Sequence, residues 1–515
     1  FPHSRVTRLS SMLDRYLKKI LQAPVYDVAN ETPTQRALKL SAKLGNNVLL
    51  KREDLQPVFS FKLRGAYTCM ARLSSEKRRK GVVTASAGNH AQGVALASQK
   101  LAIKATIVMP RTTPSIKVES VRAFGGKIEL VGDTYDEAFV HAQALAQQDG
   151  LTYVHAYDDP DVIAGQGTVG MEILRQVSGP LDVVFVPVGG GGLLAGVTAY
   201  IKSVRPEVKV IGVEPEDAAC LQAALRKDRR VKLPQVGLFA DGVAVAQIGK
   251  EPFRVVKESV DEVITATTDE MCAAIKDIFE ETRSIAEPAG ALALAGLKNY
   301  VKRTGCEGKT LVAINSGANT NFDRLRYISE RTDVGEQSEA VLAVTIPEKP
   351  GSFRAFCRAL GKRNITEFNY RFDPTGQAHI FLGVRLAAGG DDRQLLLKHL
   401  DRKGYPVLDL SDDEMAKSHL RHMVGGRAPD ASDEVLYRVN FPERPGALLN
   451  FLNGLDARWN ISLFHYRNHG AAYGRILVGL QIPAADRKEF AHFVASSSYD
   501  FVQETDNPAY KLFLS

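Results

Sequence analysis

The sequence predicts an α/β protein with parallel sheets over most of its first 325 residues, followed by a duplicated α+β unit. Three observations carry that prediction. Short β-branched runs alternate with helical patterns from residue 45 to about 325, small-residue or glycine turns follow several of those runs directly, and the chain beyond about residue 335 repeats itself at an offset of 95 to 96. Strands alternating with helices are the pattern of parallel sheet covered on both faces. The length of 515 residues agrees, since it exceeds one hydrophobic core and calls for about three domains.

Residue 1 is Phe; Met12 is expected to open a helix, with the first eleven residues outside the native start. The expected strands of the core are 81–86, 105–109, 127–131, 183–188, 208–213 and 310–314. Parallel sheets place ligands at the carboxyl ends of their strands, where turns present backbone N–H groups at helix N-termini. In the repeat, Pro347, Glu348, Pro350 and Gly351 match Pro442, Glu443, Pro445 and Gly446. After a single-residue insertion Asn364 to Arg371 meets Asn460 to Arg467, and Ile380 and Gly383 meet Ile476 and Gly479. Each copy reads strand, Pro-Gly turn, helix, strand, turn, strand, a compact α+β module rather than a solenoid repeat. The expected division is an N-terminal extension and helix at 1–22, a two-lobed core at 23–328, linkers at 329–338 and 413–433, modules at 339–412 and 434–506, and a tail at 507–515.

Composition removes several functions. Hydrophobic residues make up 44% and charged residues 24%, so neither disorder nor a coiled-coil rod fits. A net charge of +7 is too dilute over this length to argue for nucleic acid, and the short basic runs Lys77 to Lys80 and Arg226 to Arg230 read as solvated surface. Five scattered cysteines (Cys69, Cys220, Cys272, Cys306 and Cys357) suggest neither a disulfide framework nor structural zinc. No apolar run approaches the roughly 18 to 20 residues of a membrane helix, and the expectation is a cytoplasmic protein, or an organellar one already processed, without a membrane partner.

Four turns carry chemistry. In Ser60 to Ala66 a serine N-cap places Lys62 and Arg64 in the first turn of a helix, where the dipole disfavours cations, and Lys62 lies between Phe61 and Leu63. A lysine desolvated in this way loses basicity and can condense with an aldehyde; a surface lysine with a packed stem fits the same residues. In Thr84 to Gly93, Ser86, Ala87, Gly88, Asn89 and His90 lead from a strand into a helix and make a carboxylate-sized anion site, or an ordinary capped turn. His90 reads as a hydrogen-bonded supporting residue rather than a base. Gly189, Gly190, Gly191 and Gly192, followed by Leu193, let backbone amides approach a phosphate at a helix N-terminus. Gly190, Gly192 and Ala195, with Glu214 ending the next strand, satisfy a dinucleotide pattern equally well. Finally, Asn315 to Asn319 puts Ser316 at a strand end, where a hydroxyl can meet a ring nitrogen without carrying charge, or simply complete a turn. Together a lysine, an asparagine, a phosphate loop and a neutral hydroxyl favour pyridoxal phosphate over a nicotinamide cofactor, which needs no such lysine.

These four segments resemble the serine/threonine dehydratase branch of the fold type II pyridoxal-phosphate enzymes, and the Pro-Glu-x-Pro-Gly repeat resembles paired ACT-like regulatory modules, as in biosynthetic threonine deaminases. The resemblance covers residues 20 to 515. It implies a two-lobed catalytic core in which Lys62 binds the cofactor aldehyde, Asn89 its ring hydroxyl, Gly189 to Leu193 its phosphate and Ser316 its pyridine nitrogen. The loop Ser86 to His90 would take the substrate carboxylate, and Gly242 and Glu287 would wall the site. The implied reaction is β-elimination of L-threonine to 2-oxobutanoate and ammonia, the committed step toward isoleucine. L-Serine is a second substrate, isoleucine an inhibitor, valine its antagonist, and the assembly a homotetramer. Lys62 would take the α-proton, and the cofactor phosphate is the candidate acid for the departing hydroxide. Two positions depart from racemase relatives: Ala87 stands where they carry a serine, and Cys220 where they carry a metal-binding aspartate, so poor racemisation and no metal are expected. A serine dehydratase with the same chemistry is left open, as are two readings of other classes, a non-catalytic amino-acid sensor and a dinucleotide oxidoreductase.

Overall fold

The computed structural model describes residues 2–336, 338–347, 355–356, 359–360, 363, 365–369, 377–387, 391–422, 433–442, 459–467, 473–497 and 499–514. It divides into two units, Phe1–Leu325 and Arg326–Ser515. The first contains β1 (Thr34–Arg36), β2 (Asn47–Arg52), β3 (Val82–Ala85), β4 (Ala105–Met109), β5 (Lys127–Leu130), β6 (Thr152–Tyr153), β7 (Val183–Pro187), β8 (Lys209–Pro215), β9 (Glu262–Ala266) and β10 (Thr310–Asn315). They form two sheets, ordered β1-β2-β10-β7-β8-β9 and β5-β4-β3-β6. All pairings are parallel except the antiparallel edge of β1 with β2. Two helix-covered parallel sheets are the two lobes of the expected core.

All six runs expected from the sequence are strands, and β1, β2, β6 and β9 add to them. β2 ends in Lys51 and Arg52, both buried, so its charge hides a core strand. The N-terminal helix spans Pro2–Leu21, starting ten residues before the expected Met12, and buries Tyr16 and Ile20 in the large-sheet core. Among the described residues no helix is long and apolar enough to cross a membrane.

The helix Lys62–Ala71 is fixed by packing and by charge. It meets the helix Pro160–Gln176 at two bare positions: a Cβ at Gly165 would stand 2.4 Å from the Arg64 carbonyl oxygen, and one at Gly65 would stand 2.7 Å from that of Val162. Behind this contact Arg64, Lys51, Glu53 and Glu172 form an ionic cluster whose side chains are all 0% exposed. Arg64 donates to Glu53 at 2.8 and 2.9 Å and to Glu172 at 2.7 and 2.9 Å, while Lys51 Nζ lies 2.6 Å from Glu172. Thr32, Gln56 and Tyr26 donate to the same carboxylates, so the buried acceptors are satisfied. Burial raises the Glu53 carboxyl, but Arg64 and Lys51 outweigh it and hold it below the ordinary value.

The second unit contains two sheets of one topology. β11 (Glu339–Pro347), β12 (Ile365–Asn369), β13 (Gln377–Arg385) and β14 (Val407–Asp409) run in the order β12-β13-β11-β14. β15 (Glu434–Pro442), β16 (Asn460–Arg467), β17 (Tyr473–Gln481) and β18 (Asp500–Gln503) run β16-β17-β15-β18. Both sheets shift register at matching places, between Ile365 and Glu367 and between Ile461 and Leu463. Each copy also has a helix, Asp392–Arg402 or Arg487–Ser496, before a fourth strand that the sequence reading of three strands leaves out. The expected Pro-Gly turns, and the apolar residues Phe353, Leu448, Leu449 and Phe451 that follow them and would floor an amino-acid effector site, lie outside the described residues. Phe356 is buried in the first module's core.

Strand alternation divides the cores of this unit. Ala340, Leu342, Val344 and Ile346 face their own module's helices, whereas Val341, Ala343 and Phe381 share a cluster with Leu436 and Leu477 of the second module. The C-terminal helix Pro508–Phe513 completes it: Ala509, Tyr510 and Leu514 are buried there, and the Phe513 ring lies 6.0 Å edge-on from Phe381 of the first module.

Candidate active site

Strand ends assemble the candidate residues. β10 ends at Asn315, and the turn after it is stitched to the segment before the Lys62 helix: Ser60 bridges Gly317, Phe61 N–H donates to Ser316 O at 3.3 Å, and Ala318 N–H to Phe59 O at 2.9 Å. This places Lys62 and Ser316 on neighbouring strands of backbone. The expected serine cap differs. Phe61 occupies the N-cap without a side-chain bond, and Ser60, bridged through its backbone to Gly317, has a buried Oγ with no partner among the described residues.

Lys62 opens its helix with its Nζ 3.4 Å from the Ala156 carbonyl oxygen and 5.3 Å from the centre of the Phe61 ring. Burial lowers its pKa to about 8, against the opposing charge of Glu287. Residue 157, next to that carbonyl, reaches the glycine loop: a Cβ on Gly190 would stand 2.2 to 2.4 Å from the Tyr157 ring, and one on Gly192 would stand 3.1 Å from Tyr157 Cα. Gly191 adopts φ +89° and caps the helix Gly192–Val204, whose first-turn N–H groups, including that of Leu193, have no intrahelical acceptor.

From the other sheet, β3 leads through Ser86, Ala87 and Gly88 into the helix Asn89–Leu101. Asn89 Nδ2 donates to Glu287 Oε1 at 2.6 Å, and Asn89 Oδ1 accepts from Asn319 Nδ2 at 2.7 Å. Glu287 sits against Gly317 and Gly242, where added Cβ atoms would lie 2.6 and 3.4 Å from its Oε1. The two wall residues named from the sequence therefore stand beside Asn89. Burial pushes the Glu287 carboxyl up to about 7, with Asp241 adding to the rise and Asn89, Lys117 and Arg324 opposing it. His90 is held neutral: burial, with Lys62, lowers it to about 3, and its Nε2 is 3.0 Å from the Val154 carbonyl oxygen. That oxygen only accepts, so Nε2 carries the hydrogen and the buried Nδ1 is left as a weakly basic acceptor with no partner among the described residues. Ser316 Oγ donates to Ala289 O at 3.2 Å.

Glu214 does not serve the dinucleotide reading. Its oxygens accept from Leu221 N–H at 2.7 Å and Gln222 N–H at 2.8 Å, at the start of the helix Cys220–Arg226, and the carboxylate is spent there. Cys220 Sγ lies 3.7 Å from Gly189 O beneath the glycine loop. Among the described residues no group of three His, Cys, Asp or Glu is placed to hold a metal ion. Asn319, Tyr157 and Asp241 join the site without having been singled out. Asn319 closes a motif already of interest, but Tyr157 and Asp241 carry no local pattern.

Comparison with known proteins agrees with this assembly. A family model described as pyridoxal-phosphate dependent enzyme matches residues 25–317, and one described as the C-terminal regulatory domain of threonine dehydratase matches 330–420 and 425–514. The L-threonine dehydratase biosynthetic IlvA of Burkholderia multivorans is 56% identical over 503 residues, covering 97% of this chain and 99% of its own. The chloroplastic biosynthetic threonine dehydratase of Arabidopsis thaliana is 51% identical, covering 97% and 84%. The solved processed form of threonine deaminase isoform 2 from Solanum lycopersicum has a TM-score of 0.61 at 52% identity, covering 62% of this chain and 93% of that one. A lysine, a glycine cradle and a hydroxyl gathered at the carboxyl ends of parallel strands, followed in the sequence by a duplicated unit, thus agree with the two matching family models, and the chain belongs to the pyridoxal-phosphate dependent enzyme family, in the branch that carries threonine dehydratase regulatory domains.

Proposed function

We propose that the protein is a threonine ammonia-lyase that converts L-threonine to 2-oxobutanoate and ammonia, accepts L-serine as a second substrate, and serves isoleucine synthesis. The observation that carries this reading is the convergence of Lys62, the Asn89–Glu287 pair, the glycine loop and Ser316 at one set of strand ends. The residues fit pyridoxal phosphate. A desolvated amine stands at Lys62, a cradle that side chains would fill lies at Gly189 to Gly192, and a buried hydroxyl, Ser60 Oγ, lacks a partner. Lys62 would hold the aldehyde, Asn89 the ring oxygen, the N–H groups of Gly189 to Leu193 the phosphate, and Ser316 the ring nitrogen.

When bound, the cofactor supplies a sink for the electrons left at the substrate α-carbon. The rest falls to this chain. First-turn N–H groups of the helix Asn89–Leu101, His90 among them, with Ser86, Ala87 and Gly88 of the preceding loop, receive the substrate carboxylate. Lys62, once free, takes the α-proton; a pKa near 8 gives a useful fraction of neutral amine at neutral pH. The single hydroxyl hydrogen of Ser316, directed here at Ala289 O, reaches a ring nitrogen by rotation and brings no charge to it.

The two regulatory modules are assigned the effectors, isoleucine inhibiting and valine opposing, in a homotetramer working in the cytoplasm. The test is the visible spectrum of purified protein before and after threonine, with 2-oxo acid followed over time. A cofactor band that changes as 2-oxo acid accumulates is expected. Colourless protein that forms none overturns the reading.

A further inference from the structure

Four polar groups beside Lys62 form a chain whose direction is set from both ends. At one end stands the Val58 carbonyl, which only accepts; Asn319 Nδ2 donates to it at 2.8 Å. The same nitrogen has a second hydrogen, donated to Asn89 Oδ1 at 2.7 Å. Asn89 must therefore present its Nδ2 on the opposite side, where Glu287 Oε1 accepts at 2.6 Å. As a carboxylate Glu287 only accepts and demands the same orientation; where burial leaves it protonated near pH 7, the Val58 end alone sets the direction. An amide nitrogen has two hydrogens, and the contact with Glu287 uses one. Glu287 is itself held by its backbone N–H on Gly317 O at 3.0 Å, and its Oε1 occupies the space that side chains at Gly317 and Gly242 would need.

We infer that Glu287 and Asn319 are positioning residues that lock the Asn89 amide in one of its two flips, leaving one Nδ2 hydrogen to donate to the cofactor's ring oxygen. The inference rests on the proposed cofactor role of Lys62 and Asn89 and deepens it. Nothing else about Asn89 selects a flip, since the two ends of an amide have nearly the same shape. The wrong flip would set a carbonyl oxygen against the ring oxygen, which repels rather than binds.

Isosteric variants separate this role from packing. Glu287→Gln keeps an acceptor oxygen facing Asn89, and the Val58 end still fixes the direction, so cofactor affinity should stay within about threefold of the parent. Asn319→Asp replaces a double donor by an acceptor. It cannot donate to Val58 O or to Asn89, it favours the wrong flip, and it should weaken cofactor affinity by about 30-fold or more. The double variant restores the original formal charge but pairs the introduced carboxylate with Asn89 Nδ2 and the introduced amide with Oδ1, so it should stay as weak as Asn319→Asp alone.

The measurement is the dissociation constant of pyridoxal 5′-phosphate for each variant by absorbance titration, with the pH dependence of the bound cofactor's visible band and a circular-dichroism melt to show that each variant is folded. A folded Asn319→Asp protein with parental affinity and spectrum overturns the inference. Equal losses in the two single variants also overturn it, as does recovery in the double variant, which would assign the effect to charge. None of these readouts requires threonine turnover, so they stand apart from the test of the reaction.

Discussion

The cluster of Lys51, Arg64, Glu53 and Glu172 contains two cations and two carboxylates with no exposed side-chain surface. Replacing Glu172 by Gln keeps the shape, opens no cavity and removes one negative charge. Its carboxylate accepts from Lys51 Nζ at 2.6 Å, from Arg64 at 2.7 and 2.9 Å and from Tyr26 Oη at 2.9 Å. After the change two buried cations face one buried anion, and at least one of these donors meets an N–H instead of an acceptor. Breaking a buried pair from one side costs about 3–5 kcal/mol, because the partner charge is left uncompensated. A control is Glu119→Gln, whose Arg122 pair is exposed by 64% and 59% and is worth about 0–1 kcal/mol. Urea unfolding of cofactor-free protein, followed by far-ultraviolet circular dichroism, should show the midpoint of the first unit's transition falling by roughly 1–2 M for Glu172→Gln and hardly moving for Glu119→Gln. Lys51→Met combined with Glu172→Leu, which removes one charge of each sign, should recover more than half of the loss. Equal midpoints for Glu172→Gln and the control would refute the reasoning, since the cluster would then be solvated despite its burial.

The amine of Lys62 must be neutral to attack an aldehyde, so reconstitution of cofactor-free protein with pyridoxal phosphate should quicken about fivefold from pH 7 to pH 8 and less than twofold above it; continued tenfold gains per unit to pH 9 would mean an ordinary lysine. The same depressed value means that the unfolded chain holds more protons than the folded one between about pH 8 and the ordinary 10.5, so stability of the cofactor-free protein should rise with pH across that window. Gly190→Ala drives a Cβ into the Tyr157 ring and should weaken cofactor affinity by about tenfold or more in the same titration, with partial recovery when Tyr157→Ala is added. Deleting residues 335–515 should leave threonine turnover that isoleucine no longer inhibits, measured as 2-oxo acid release; retained inhibition would remove the regulatory assignment from the repeat.

The strands of the core were legible where β-branched residues cluster, as in Val183–Pro187, and hidden where function or charge intrudes. β2 was hidden because Lys51 is buried against partners 121 residues away, a tertiary compensation that no local pattern carries. Ser60 misled for the opposite reason: its local signal is a cap, but the bridge to Gly317 overrides it. The glycine loop, Lys62 and Asn89 each announced a chemistry through residues that are costly anywhere else. Their arrangement did not. Glu287 reaches Asn89 across 198 residues and Asn319 across 230, so the orientation of one amide depends on three distant turns. The repeat was legible in its matched blocks, whereas its fourth strand is short in both copies, Val407–Asp409 and Asp500–Gln503, too brief for periodicity to register.

Phe513, two residues before Ser515, is seated against Phe381, 132 positions earlier, and Tyr510 and Leu514 fill the same shared cluster. A duplicated gene segment is commonly free to lose one copy, because each half folds for itself. Here the last turn of helix is on loan to the first copy. Loss of the helix Pro508–Phe513 would strip apolar cover from a first-module sheet whose own sequence is intact, so the integrity of one copy is decided by residues that follow the other.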